Sequence, residues 1–476
     1  MVTREQFIRE YTKAILQGNA AVFAGAGLSR PSGFVDWKEL LRPLAENIGL
    51  NIDCEHDLTV VAQYIQNSSG NRNAINDSIV EAFGKDAELN DNVRILTRLP
   101  IKTYWTTNYD HLIEDGLKEA NRNHYVKIES LQLSITKKDS DALVYKMHGD
   151  AEHPADVVLT KDDYEEYDKT YPFFRNFLQV DLMSKSFLFI GFSFEDTNLN
   201  FVLGQIKLLM GNSVRDHYCF VKKECAENYE DKQEFNRRQT RERLQEEYLK
   251  KYGIKTVFVD DYKEIPDILN DVEAAVCANN VFISGSADFY DDWDKLRVEG
   301  FAYKLANALV KEEFKVISGF GLGIGSSVIN GALDEIYNSK RKHSDDYLCL
   351  KPFPQNIADA KERKAKWTKY REDMIAAKGV AIFMFGNKRN SEGKKVLADG
   401  CREEFEIAKQ KGCMIIPIGS TGDMAAEIYK EVKSEHEADG GKYKYLDKYM
   451  DRLGTETDID KIVEMVLEIV KARRNA

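Results

Sequence analysis

An α/β chain of two doubly wound domains with mostly parallel sheets is predicted by three observations. Short apolar runs alternate with amphipathic stretches along most of the chain. Glycine-rich turns stand directly behind several of those runs, at residues 25–27, 285 and 319–325. The pattern starts twice, near residues 20 and 280, which divides the 476 residues into 1–276 and 277–476, each Rossmann-like.

In the first part, residues 20–24, 103–106, 143–147, 187–191, 217–221 and 255–259 read as strands. Residues 40–48 and 173–183 carry apolar side chains three and four apart, as helices packed on a sheet do. Residues 224–251 are dense in charge of both signs; mixed signs make no net field, which indicates a solvated helix. In the second part a strand should run into a glycine turn at 280–286, followed by a helix over 293–310. Further strands are expected at 314–318, 347–350, 380–385 and 414–418, with helices over 402–411 and from about 459 onward. No Pro/Gly-rich linker separates the two parts near 275–279.

Bulk properties narrow the function. A hydrophobic fraction of 43% supports full cores and excludes a disordered protein. The net charge of −12 argues against broad binding to nucleic acid. The seven cysteines are scattered without CxxC spacing, and no cysteine–histidine cluster suggests a metal site. Buried thiols in a reducing compartment are therefore expected. The start lacks the order of a signal peptide, and no run approaches the ~20 apolar residues of a membrane span. A soluble cytoplasmic protein without membrane or nucleic-acid partners is the expectation.

Four segments gather the chemistry. FAGAGLS at residues 23–29 is a glycine turn behind an apolar run, where backbone N–H groups can approach a pyrophosphate. TTNYD at 106–110 puts an amide and a carboxylate behind a strand, MHG at 147–149 puts a histidine on a turn, and IGFSF spans 190–194. Singly, these read as a tight connection, a helix cap and a structural histidine. Together they crowd the carboxyl ends of strands, where doubly wound sheets bind ligands.

In this order the segments resemble the NAD site of the sirtuin family, over roughly the first 275 residues. The resemblance assigns Gly25, Ala26, Gly27 and Ser29 to the pyrophosphate turn. Asn108 and Asp110 fall near the nicotinamide ribose, His148 is the catalytic base, and Gly191 and Ser193 form the adenosine turn. Two departures stand out: the four-cysteine zinc module of sirtuin deacylases is missing, and residues 30–37 replace the family's Pro-Asp-Phe-Arg segment. Without the zinc module, the groove for an acyl-lysine peptide is in question, which points to water as the acceptor. A histidine, titrating ordinarily near ~6.5, can take a proton from water or a ribose hydroxyl. Asn108 can hold that group and Asp110 can orient the ribose. The products are then nicotinamide and ADP-ribose or a cyclised form, with NAD+ a substrate rather than a cofactor.

In the second part, FISGS at 282–286 and GFGLGIG at 319–325 resemble the SLOG family of nucleotide sensors. Arg371 and Lys388 suit phosphates, and Glu404 suits a ribose hydroxyl or adenine amine. A sirtuin-like domain followed by a SLOG domain resembles the effectors of Thoeris anti-phage defence, over essentially the whole chain. That family implies an NADase switched on by a cyclic ADP-ribose isomer, which a TIR-domain partner protein makes. It further implies NAD depletion, abortive infection and a homo-oligomer, with a tetramer as the candidate form. Gly285, Ser286, Gly323, Arg371, Lys388 and Glu404 are its signal-binding candidates. The competing readings are an NAD-dependent protein deacylase and a non-enzymatic nucleotide sensor.

Overall fold

The computed structural model describes residues 2–475 except 136, 193, 195–196, 211–214, 340–342, 355, 376–377 and 440. The chain divides into two compact units, Met1–Glu273 and Ala274–Ala476, and the division falls inside the helix Ile265–Cys277.

The first unit is built on seven strands: β1 (Ala20–Ala24), β2 (Thr103–Thr106), β3 (His124–Lys127), β4 (Ala142–Lys146), β5 (Ser186–Ile190), β6 (His217–Lys222) and β7 (Ile254–Val259). Their order is β3-β4-β2-β1-β5-β6-β7, and every ladder between them is parallel. β1 and β5 are buried on both faces, so they read as unbroken apolar runs rather than alternating ones. β1 pairs with β2 on one side and β5 on the other, so the connections diverge there and open a crevice at the strand ends. Sequence reading missed β3, a half-buried edge strand of sequence HYVK whose polar residues hide its period.

The second unit carries β8 (Asn280–Ser286), β9 (Lys315–Ser318), β10 (Leu348–Leu350), β11 (Val380–Phe385) and β14 (Met414–Pro417), ordered β10-β9-β8-β11-β14 and again parallel. A small antiparallel hairpin, β12 (Asn387–Arg389) and β13 (Lys395–Leu397), follows β11 and was not anticipated. One expectation is corrected. Residues 284–286 are not a turn but the last rungs of β8, paired with Phe383, Met384 and Phe385 of β11.

The charged stretch folds as the helix Lys232–Lys250, where Leu249 is the buried residue and Arg243 pairs with Glu247 one turn on at 2.8 Å. All seven cysteines are free thiols. Cys219 and Cys401 are buried, and burial pushes each thiol up to about 12; Cys54 is exposed, against the expectation of uniformly buried thiols. Among the described residues no helix is long and apolar enough to cross a membrane.

Candidate functional site

The glycine turn behind β1 interlocks with the turn behind β5. Gly191 has φ +65°, and a Cβ there would lie 2.1 Å from the Leu28 nitrogen. A Cβ on Gly25 would lie 2.5 Å from the Gly191 carbonyl, and one on Gly27 would lie 2.8 Å from the Gly191 Cα. The Gly25 N–H donates to the Ile190 carbonyl at 3.0 Å and the Gly27 N–H to the Gly191 carbonyl at 2.9 Å. These two amides therefore hold the turns together instead of pointing at an anion, and the helix that follows, Ala26–Ser29, is a single turn. The glycines are needed for close backbone approach, a different reason from the one the motif suggests. Ser193 lies outside the described residues.

Behind β2, Asn108 is half-buried and is not a helix cap. Its Nδ2 donates to the Gly25 carbonyl at 3.0 Å and to Ser29 Oγ at 2.8 Å, so it ties the turn of β2 to the turn of β1. The Thr106 hydroxyl accepts the Asn108 N–H at 2.9 Å and fixes the turn from below. Asp110 is buried, and its Oδ1 accepts the Leu112 N–H at 3.0 Å, which starts the helix Leu112–Glu119. Burial raises the Asp110 carboxyl above its usual range, against the Ser29 hydroxyl and Lys146, which pull it back. Asp110 thus fixes the helix start from beneath the surface.

A buried lysine underlies both turns. Lys146 closes β4, and its fully buried Nζ donates to the Asp110 carbonyl at 2.7 Å and the Tyr109 carbonyl at 3.3 Å. It also pairs with Asp150 at 2.5 Å and Glu114 at 3.2 Å. Burial alone would lower the Lys146 pKa, but the two carboxylates outweigh it and raise it. Asp150 also accepts from His111 Nε2 at 3.0 Å. A lysine ending an apolar strand just before Met147 and His148 is the signal that the sequence carries for this buried charge.

His148 is buried on the turn behind β4, and its carbonyl accepts the Val158 N–H at 2.9 Å. The Trp37 ring lies 5.9 Å from the imidazole and the Tyr164 ring meets it edge-on at 5.5 Å. Trp37 is placed by a capping box: Asp36 accepts the Glu39 N–H and Glu39 accepts the Asp36 N–H, which fixes the start of the helix Trp37–Asn47. On the other side, Asn198 Nδ2 stands 3.3 Å from His148 Nε2. The sequence carried no sign of Asn198, since an Asn at a helix start usually caps its own helix.

In the second unit the switch point is β8, between β9 and β11. A Cβ on Gly323 (φ +76°) would lie 1.8 Å from the Ala287 carbonyl, so the turn behind β9 lies flat on the end of β8. Gly285 meets the Met384 carbonyl at 2.3 Å in the same sense. The Ser286 hydroxyl donates to the Asn387 carbonyl at 2.8 Å. Buried Asn387, which was not anticipated, accepts from the Asp288 and Phe289 N–H groups and donates to Asp423 at 2.5 Å. Lys388 is half-buried on the hairpin and pairs with Asp399.

Arg371 and Glu404 face inward rather than out. Arg371 is 7% exposed and pairs with Glu403 at 2.9 Å and Glu404 at 3.4 Å. The Ser284 hydroxyl donates to Glu404 at 2.6 Å. Burial raises the Glu404 carboxyl, with Ser284 and Arg371 opposing it. The structure therefore brings Gly285, Ser286 and Gly323 together at the end of β8, and links Arg371 and Glu404 to them through Ser284.

Comparison with known proteins fits this geometry. The profile of the SIR2-like domain family matches residues 102–257, and that of the Sir2- and TIR-associating SLOG family matches 264–473. The FAGAGLS turn lies outside the first match. The NAD(+) hydrolase ThsA of Bacillus cereus (strain MSX-D12) is 42% identical, over 99% of this chain and 98% of its own. The protein of the same name from Cytobacillus dafuensis is 41% identical over 99% and 97%, and that from Enterococcus faecium 40% identical over 98% and 99%. The chain belongs to the ThsA family of NAD(+) hydrolases.

Proposed function

We propose that this member of the family hydrolyses NAD+ to nicotinamide and ADP-ribose at the carboxyl ends of β1, β2, β4 and β5. One observation supports the placement above the rest. Asn108 is bonded to the glycine turn and to Ser29, while His148 stands on the next turn, behind β4, which pairs with β2.

Nicotinamide leaves as a neutral base, so its departure needs no acid. What is needed is a cradle for an oxocarbenium-like ribose and a nucleophile. The two Asn108 amide hydrogens are engaged by the Gly25 carbonyl and Ser29 Oγ, so toward substrate this side chain offers Oδ1, an acceptor. It holds a water by one proton while His148 receives the other as the oxygen bonds to the ribose carbon that nicotinamide leaves; where a ribose hydroxyl attacks instead, its single proton goes to His148. The interlocked turns that carry Gly25, Ala26, Gly27, Ser29 and Gly191 border the rest of NAD+ by close backbone approach, with Asp110 fixing the helix start behind them. No step of this scheme calls on a metal.

The second unit is the sensor. A cyclic ADP-ribose isomer, made by a TIR-domain partner, binds at Gly285, Ser286, Gly323 and Lys388, with Arg371 and Glu404 turning toward it. Such a ligand activates only by its differential affinity for two states of the protein. The protein acts as a homo-oligomer, depletes NAD+ and aborts phage infection. The test is to incubate the purified protein with NAD+, with and without the cyclic isomer and a chelator, and to follow nicotinamide. Release only with the isomer, indifferent to chelation, supports both roles. Release without it removes the switch, and no release in either arm returns the deacylase and sensor readings.

A further inference from the structure

We infer that Asn198 is a positioning residue for His148: clamped by Arg175, it makes Nε2 the basic nitrogen of the ring and opposes the imidazolium. The inference rests on the base assigned to His148 above. Asn198 lies in the first turn of the helix Thr197–Met210 and is fully buried. Its Oδ1 accepts from Arg175 Nε at 3.1 Å and from Arg175 Nη2 at 2.6 Å. A guanidinium only donates, so the carboxamide oxygen must face Arg175 and the NH2 group must face away. The group turned away is the one 3.3 Å from His148 Nε2.

An amide N–H cannot accept, so Nε2 is the acceptor at this contact. A neutral imidazole with an accepting Nε2 carries its hydrogen on Nδ1. Protonation of the ring would set one N–H against another, in a buried place where a mismatched polar contact costs most. The amide therefore keeps the ring in the form that can take a proton, and favours its release afterwards. The contact is long for a hydrogen bond, so a water or ribose hydroxyl reaching Nε2 can share or displace it.

Arg175 is itself fixed. Its Nη1 pairs with Asp168 at 2.6 Å, and its guanidinium lies 4.9 Å from both the Tyr167 and Phe201 ring centres. Among the described residues, the titratable side chain seen against the imidazole is Tyr164, at 5.5 Å ring to ring; Asp150 follows two residues later on the same turn and Asp110 lies on the turn behind β2.

The test uses the full chain with 13C,15N-labelled histidine, the His148 signals being assigned by their loss in His148→Gln. Three variants are compared with the parent: Asn198→Ala, Asn198→Asp and Arg175→Met. The parent should show the Nδ1–H tautomer at His148. Asn198→Asp offers an acceptor in place of the donor, so the imidazolium should persist about one pH unit or more higher, and the acid limb of kcat/KM should move with it. Arg175→Met frees the amide to turn its oxygen toward Nε2 and should move both in the same direction by less. Asn198→Ala should weaken the tautomer preference and lower kcat more than it changes KM for NAD+. An Nε2–H tautomer in the parent overturns the inference. So do variants that lose activity evenly at every pH while the His148 signals stay put. The expected signals together with no nicotinamide release would leave the positioning role standing and remove the base assignment instead.

Discussion

The two units solve one geometric problem alike and then diverge. Each places glycine turns at the point where a parallel sheet changes direction, and in each a Cβ on one turn would strike backbone of the other: Gly191 against Leu28, Gly323 against Ala287. The difference lies in where charge sits. In the first unit Lys146, Glu114, Asp150 and Asp110 are buried behind the turns, and the groups proposed for the chemistry are an amide and an imidazole. In the second unit the buried charge, Arg371 with Glu403 and Glu404, belongs to the candidate ligand site itself. A site that does chemistry on a sugar needs directed lone pairs and a fixed scaffold. A site that responds to a phosphate-bearing signal needs charge that can change partners.

The sharpest way to break this contrast is to disable the two sites separately. His148→Ala and Asn108→Ala should each lower nicotinamide release by about 10²-fold or more, the range general acid–base groups supply, while leaving the fold and binding of the cyclic isomer intact. Arg371→Ala should do the converse, removing the response to the isomer while the residues of the first site stay in place, at a cost in stability of the second unit because it strands buried Glu404. Retained turnover in either of the first pair would take that residue out of the mechanism. Isomer-stimulated turnover in Arg371→Ala would place signal recognition elsewhere.

Two lysines sharpen it next. Both follow the sheets' carboxyl ends, Lys146 closing β4 and Lys388 in the hairpin after β11. Lys146→Met strands Glu114 and Asp150 and should cost about 3–5 kcal/mol in denaturant unfolding, the usual result of removing one partner of a buried pair. Lys388→Met breaks an exposed pair with Asp399 and should cost under about 1 kcal/mol. Its effect belongs in affinity for the isomer. Equal losses of stability would mean that charge is not divided between scaffold and site as described.

How much of this was legible follows from the same division. Parallel strands buried on both faces announce themselves as apolar runs, so β1, β5 and β11 were readable within a residue or two. β3 and the β12–β13 hairpin were not, because polar edge strands have no apolar period to detect. The glycines were readable as essential but not for their reason, since only coordinates reveal that Gly25 and Gly27 donate to Ile190 and Gly191. Asn108 and His148 could be picked out as chemistry. Asn198, 50 residues beyond His148, could not, because the pairing depends on Arg175 holding one side of its amide. Arg371 and Glu404 looked like independent surface charges, and their mutual burial is a tertiary fact.

The smallest effect tests whether the scaffold charge beneath the first site is a working network. The Asp150 hydrogen bond, against some opposing burial, raises the His111 pKa above its ordinary value. Burial tends to raise Asp150, but His111 and Lys146 outweigh it and hold the carboxyl well below its usual range. A raised histidine stabilises the fold fully below its unfolded value of ~6.5 and loses that contribution as pH rises through the folded value. A depressed carboxylate does the reverse, losing its contribution only as pH falls below its unfolded value of ~3.9. His111→Ala should therefore cost about 1 kcal/mol near pH 6 and progressively less toward pH 9, read from urea unfolding at several pH values. The parent's own stability should drop on the acid side as Asp150 takes up its proton. A cost that is flat with pH would mean that His111 acts only by packing, and that Lys146 alone carries the charge beneath the turns.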